Sequence, residues 1–296
     1  MITAVPYVKI EAQRIVVWHH LDGYVRKKNN TSFVSENNKK GKVKGKLSPS
    51  AKKKIKNIII SWLSTLQFFY LRYGKSLNDV RKHIKFITLT ISEKQKHSDE
   101  HIKNKMLVRM IEVLKRKYNL TNYLWIAETQ KNGNIHFHII TNTNIYHKDL
   151  RNEWNKIQER NGYLDKYYLK HNHKDANSTD IHTLIKVRNL TAYLTKEATK
   201  GQQVRPIEGK IWGCSKELLN IKSYNSLATH KLSDTIEKLK SYDQVQEFKD
   251  DFFAVYFYES VRIFEELFIS EREDIRDFYE QQMVEFFQSD IDNFFN

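Results

Sequence analysis

Two strand-like runs, Tyr123–Glu128 (YLWIAE) and Ile135–Thr141 (IHFHIIT), flank an Asn132-Gly133 pair. Asn-Gly tolerates the positive φ angles of a tight turn, so the segment reads as a β-hairpin. A hairpin is antiparallel, and it obliges the surrounding sheet to accept at least one antiparallel pair. Helix-period segments lie on both sides of it. The expected class is therefore α+β, a central, largely antiparallel sheet flanked by helices.

Upstream, Arg14–Trp18 (RIVVW) reads as a short strand, and Gly23–Lys46 holds eight bases against one acid, Glu36, as a basic linker would. Ser48-Pro49-Ser50 opens a helix, proline sitting where a missing N–H costs nothing. Ile55, Ile59, Trp62, Leu66 and Phe69 give it an apolar stripe that ends at Gly74. Phe86–Ile91 (FITLTI) is a strand, and Ser98 caps a helix reaching about Tyr118 through Ile102, Met106, Met110 and Val113. Leu150, Trp154 and Ile157 mark a further helix stopped near Gly162. A helix over 185–200 and a strand near Lys210–Trp212 complete the core. Two aromatic-rich helices are expected over Gln244–Ser270 and Asp274–Phe294. The expected organisation is 1–47 for an N-terminal strand and basic linker, 48–220 for the core domain with its preceding basic helix, and 221–296 for a linker and an acidic helical region.

Charge is unevenly spread. The chain carries +15, yet Asp243–Asn296 holds fifteen acids and four bases, leaving +26 on the remainder. A polyanion, nucleic acid first among them, is the expected partner of that basic body. Lys52, Lys53, Lys54 and Lys56 crowd the first turns of the helix opened by Ser48, where they oppose its dipole. Phosphate bound at that helix N-terminus would offset the cost, which makes these lysines candidate DNA contacts. The acidic segment holds fourteen of the 37 aromatics, too many for a disordered tail, and needs an apolar surface to cover, on the core, on a second subunit or on a host replication protein.

One cysteine, Cys214, excludes an internal disulfide and a multi-cysteine zinc site. The longest apolar run, Ile58–Ile60, is far below the roughly 20 residues that span a bilayer. No apolar core of useful length follows MITAVPYVKIEAQ, so no secretory signal is expected and a cytoplasmic location is.

A His-x-His pair alone means little: with 12 histidines, roughly half an occurrence is expected by chance. His171-Asn172-His173, in a polar lysine-rich stretch, is such a pair. His136-Phe137-His138 differs because strand alternation sends both imidazoles to one face and Phe137 and Ile139 to the other. Two imidazoles on a rigid strand converge on one cation and want a carboxylate to complete a facial set. Glu128 is the candidate, but a simple two-residue Asn-Gly turn would pair it with Phe137, on the wrong face. An odd-length loop or a bulge at Gly133 makes paired numbers sum to an even value and stands Glu128 beside His136 or His138. Tyr193-Leu194-Thr195-Lys196 is the second half of the candidate site. On a helix Tyr193 lies at the edge of the apolar stripe, with Lys196 and Lys200 beside it on the polar side. A phenol titrating near 10 is a poor nucleophile at neutral pH, and a cation one turn away would favour its ionised form.

In order and type, FITLT (86–90), the Glu128…His136-Phe137-His138 hairpin and Tyr193-x-x-Lys196 resemble the motifs of HUH replication initiators of single-stranded DNA phages, small circular viruses and rolling-circle plasmids. Gly209–Ser215 (GKIWGCS) also resembles a stretch following the tyrosine helix in phage members. The resemblance covers roughly Lys85–Leu219. It implies a ferredoxin-like endonuclease core, Mg²⁺ or Mn²⁺ held by His136, His138 and Glu128, and Tyr193 as nucleophile on single-stranded origin DNA. Cleavage of that kind leaves a 5′-phosphotyrosine and a free 3′-OH. Glu197, one turn on, is a candidate for activating water in a terminating step. Relaxases and single-tyrosine transposases share the chemistry, and a DNA-binding protein with structural histidines is the non-enzymatic alternative. No G-x-x-x-x-G-K-[ST] loop occurs, so helicase and polymerase would be host proteins.

Overall fold

The computed structural model describes residues 6–11, 14–19, 45–184, 193–194, 196–197, 204–227, 230–243, 245–249, 253–258, 263, 266–267 and 272–295. Among them the strands, numbered along the chain, are β1 (Pro6–Glu11), β2 (Arg14–His19), β3 (Lys85–Leu89), β4 (Tyr123–Thr129), β5 (Ile135–Thr141), β6 (Thr179–Thr183), β7 (Trp212–Cys214), β8 (Tyr224–Leu227), β9 (Val245–Lys249) and β10 (Phe253–Tyr258). They form two five-stranded sheets, antiparallel throughout and flanked by helices, so the protein is mixed α and β. The chain divides into two compact units, one from Met1–Gly41, Ile60–Leu77 and Ile221–Glu285, the other from Lys42–Ile59, Asn78–Asn220 and Phe286–Asn296.

The unit that carries the hairpin has strand order β6-β3-β5-β4-β7. β3 is the FITLT strand and lies beside β5, so the two most motif-rich segments are neighbours. Met106, Met110, Val113, Leu150, Trp154 and Ile157, the expected helical stripes, are buried. Ser98 caps Asp99–His101 by accepting the His101 N–H, after which a π-helical stretch, Ile102–Leu107, leads into the helix Val108–Tyr118. That helix ends at Asn119 in the left-handed region, φ 51°. The helix Pro49–Arg72 begins as expected, the Ser48 hydroxyl accepting the Ala51 N–H at 3.1 Å. β7 lies two residues beyond its expected start. A Cβ at Gly213 would come within 2.7 Å of the Trp125 indole, so only glycine lets β7 approach β4 there, with Trp212 on the opposite face beside Ile126. The helix Gln288–Phe295 also belongs to this unit, where Asp290, 1% exposed, accepts from Asn142 Nδ2 at 2.5 Å and Asn122 Nδ2 at 3.3 Å.

The other unit has strand order β8-β1-β2-β10-β9. Its core gathers Val8, Ile10, Ile15, Leu232, Leu239, Tyr256, Tyr258 and Tyr279. The Tyr258 and Tyr279 hydroxyls donate to the backbone carbonyls of Glu11 (2.7 Å) and Ile10 (2.5 Å), which is how two buried phenols are satisfied. Buried Glu11 is held by Lys9 and Arg14 and accepts the Ser223 hydroxyl. Here the structure corrects the sequence expectation. The segment expected to be one helix over Gln244–Ser270 contains β9 and β10, and 221–243 contains β8 and the helix His230–Lys240 rather than a linker. In β10, Ala254, Tyr256 and Tyr258 are buried at a period of two, whereas the aromatic-rich stretch on its own suits a helical period as well. Helices do follow, over Glu273–Phe286 and Gln288–Phe295.

Candidate metal centre

The hairpin adopts the even-sum register. Glu128 stands opposite His136 and Thr129 opposite Ile135. The Gln130 N–H donates to the Asn134 carbonyl at 2.8 Å, closing an odd loop of Lys131–Gly133 in which Gly133 takes φ +83°. That positive φ is the irregularity that turns Glu128 toward the imidazoles.

Glu128 Oε2 lies 3.7 Å from His136 Nε2 and 3.5 Å from His138 Nε2. One ligand atom from each of the three residues falls within 4.8 Å of the others, and no other such group occurs among the described residues. Glu128 is buried, and its Oε1 has no hydrogen-bond partner. A buried carboxylate with one orphaned oxygen, facing two imidazole nitrogens, is a donor set suited to a divalent cation. Burial alone would raise this carboxyl; hydrogen bonding and charge from His136 and His138 outweigh it and bring it down to about 2. The Thr88 hydroxyl lies 3.1 Å from His138 Nδ1, and with that nitrogen protonated the Nε2 lone pair is left facing Glu128.

Tyr193 is half-buried and helical, as are Leu194, Lys196 and Glu197; the remainder of the helix expected over 185–200, Lys200 included, lies outside the described residues. The Phe86 ring joins the two halves of the site. Its centroid is 5.2 Å from His138, 5.4 Å from His182 and 6.4 Å from Tyr193. The expected cationic lowering of the Tyr193 phenol is not found. Burial pushes it up, and the charges of Glu197 and Asp180 push it further. Lys196 is exposed. Lys52, Lys53, Lys54 and Lys56 are also exposed, with Lys54 Nζ 5.9 Å from the Trp212 ring centroid. His171 and His173 sit on an exposed segment against Tyr167 and take no part in the cluster.

Sequence reasoning missed Thr88, Phe86 and the Asp180–His182 pair, in which His182 Nδ1 is 3.2 Å from Asp180 Oδ2. Alternation along FITLT placed Phe86 and Thr88 on one face, but only the pairing of β3 with both β5 and β6 shows that this face is the one with the histidines. Residues 84–202 match the family model for the ORF2 class of replication-associated protein. Over that segment, which contains the hairpin and Tyr193, the chain is similar to replication-associated proteins. No curated protein and no solved structure matches it. No helix among the described residues is long and apolar enough to cross a membrane.

Substitution of the ligands should read out directly in metal affinity. Glu128→Ala and His136→Ala should weaken Mn²⁺ binding by similar factors, about a hundred-fold, while His171→Ala and His173→Ala leave it unchanged. Calorimetric titration of the four purified variants checks this. Wild-type affinity in Glu128→Ala would place the third ligand elsewhere.

Proposed function

We propose that this protein is a rolling-circle replication initiator of the HUH type, a nickase that opens single-stranded origin DNA by transesterification onto Tyr193. The observation that carries this reading is the Glu128–His136–His138 cluster with Tyr193 held across Phe86, inside the segment similar to replication-associated proteins. The three residues suit Mg²⁺ or Mn²⁺, which when bound supplies Lewis-acid polarisation of the scissile phosphate. The Tyr193 oxygen forms a bond to phosphorus as the bond from phosphorus to the 3′-oxygen breaks. The phenol loses its proton and the departing 3′-oxygen gains one. The products are a 5′-phosphotyrosine and a 3′-OH primer, with the bond conserved so that rejoining needs no ATP. Since the phenol is pushed up, the nucleophile enters protonated. Lys196 contributes positive charge near the phosphate rather than ionising the tyrosine. Lys52, Lys53, Lys54, Lys56 and Lys200 contact the DNA backbone, and host helicase and polymerase extend the primer in the host cytoplasm.

Incubating the protein with a pool of single-stranded oligonucleotides and Mn²⁺, then separating on a denaturing gel, tests the reading. A covalent protein–DNA adduct that chelation prevents is expected. Retained DNA binding with no adduct in either Mg²⁺ or Mn²⁺ would make the protein a non-catalytic DNA binder.

A further inference from the structure

Arg205 lies three residues beyond the segment similar to replication-associated proteins, yet its guanidinium is fully engaged around the candidate metal hairpin. Nη1 and Nη2 each donate to an Asp99 carboxylate oxygen at 2.7 Å. Nε donates to the Gly133 carbonyl at 2.8 Å, Nη2 to Gln95 Oε1 at 3.1 Å and Nη1 to the Pro206 carbonyl at 3.0 Å. All the N–H donors of a guanidinium are thereby used. Asp99 is equally saturated. Besides the two arginine bonds it accepts Gln95 Nε2 at 2.8 Å and the Glu208 N–H at 3.1 Å, and it is 2% exposed.

The partners are placed next to the ligands. Gln95 Oε1 also accepts the Ile135 N–H at 2.8 Å, one residue before His136. The Val204 N–H donates to Thr129 Oγ1 at 2.7 Å, one residue after Glu128. Gly133 is the positive-φ residue that sets the hairpin register. Contacts thus reach both strands of the hairpin and its turn, and they come from the chain that follows the tyrosine segment.

We infer that Arg205, fixed by Asp99, is a positioning residue that holds Glu128 and His136 in ligand geometry and ties the chain after Tyr193 to the hairpin that carries them. The inference rests on the metal reading of Glu128, His136 and His138. Burial would raise the Asp99 carboxyl, but Arg205, Gln95 and the Glu208 N–H hold it below the usual carboxylate range, so the pair is charged at neutral pH. Lysine cannot replace the arginine fully, because an ammonium lacks the planar fork that grips Asp99 while reaching the Gly133 carbonyl.

The test is Mn²⁺ affinity of the full-length protein, read by electron paramagnetic resonance of free Mn²⁺, alongside the melting temperature without metal. Arg205→Gln and Asp99→Asn should each weaken Mn²⁺ binding about ten-fold, the effect typical of a group that orients a ligand. Arg205→Lys, which keeps the charge and is the variant that decides if the others do not fold, should fall between them and wild type. Combining Arg205→Gln with Asp99→Asn should weaken binding no further than either alone, since they act as one unit. Folded variants that melt earlier but bind Mn²⁺ with wild-type affinity would assign the pair to the fold alone and overturn the proposal. If wild type itself binds no Mn²⁺, the metal reading fails, and this inference fails with it.

Discussion

Tyr193→Phe should form no covalent adduct with single-stranded DNA, a fall of roughly three orders of magnitude or more in cleavage, while binding the same DNA within a few-fold of wild type. The substitution removes one oxygen from a half-buried ring and leaves the ring itself beside Phe86, so the fold has little to lose. Every group that touches the hairpin is untouched. Lys196→Ala should behave differently, slowing the reaction by up to about a hundred-fold without stopping it, since it contributes charge and makes no bond. The two variants are compared by denaturing gel at saturating Mn²⁺, with affinity measured separately by fluorescence anisotropy. A persistent adduct in Tyr193→Phe would remove Tyr193 from the mechanism.

A chain ending at Tyr242 should lose the cooperative unfolding of the unit built on β1 and β2. That truncation removes β9 and β10, and β10 is the strand that pairs with β2, so an interior edge is bared. It also takes Tyr256, Tyr258, Ile275 and Tyr279 out of one core. At ~1.5–3 kcal/mol for each large apolar side chain, their loss rivals the ~5–15 kcal/mol that holds a whole domain together. Circular dichroism and binding of a hydrophobic dye through a thermal ramp check the result. A cooperative melt matching the full chain, with no dye-binding surface, would show that the region is separable after all. Any change in DNA affinity on truncation would report an unfolded unit as well as a lost negative charge.

The hairpin, its register and the ligand trio were legible because all of it is local. Glu128 and His138 lie ten residues apart, and the parity of strand pairing permits only some loops. Thr88 was half legible, since alternation gave its face but not its neighbour. Arg205 was not legible, because Asp99 is 106 residues away in the chain and nothing in either local pattern names the other. The Tyr193 phenol shows a different gap. A lysine one turn on is visible in sequence, but the burial and the Asp180 charge that outweigh it come from folding. β9 and β10 were missed because their aromatics suit a strand and an amphipathic helix alike, and only the pairing of β10 with β2 decides between them.

The central claim is that Tyr193 becomes bonded to the 5′ phosphate of a cleaved strand. Protein trapped with a single-stranded pool in Mn²⁺, digested with protease and nuclease and mapped by tandem mass spectrometry, tests it at the atom. The account predicts one modified peptide, with a phosphonucleotide on Tyr193 and none in a chelated control. A nucleotide carried on any other residue, or cleaved DNA with no protein-linked nucleotide, would contradict it.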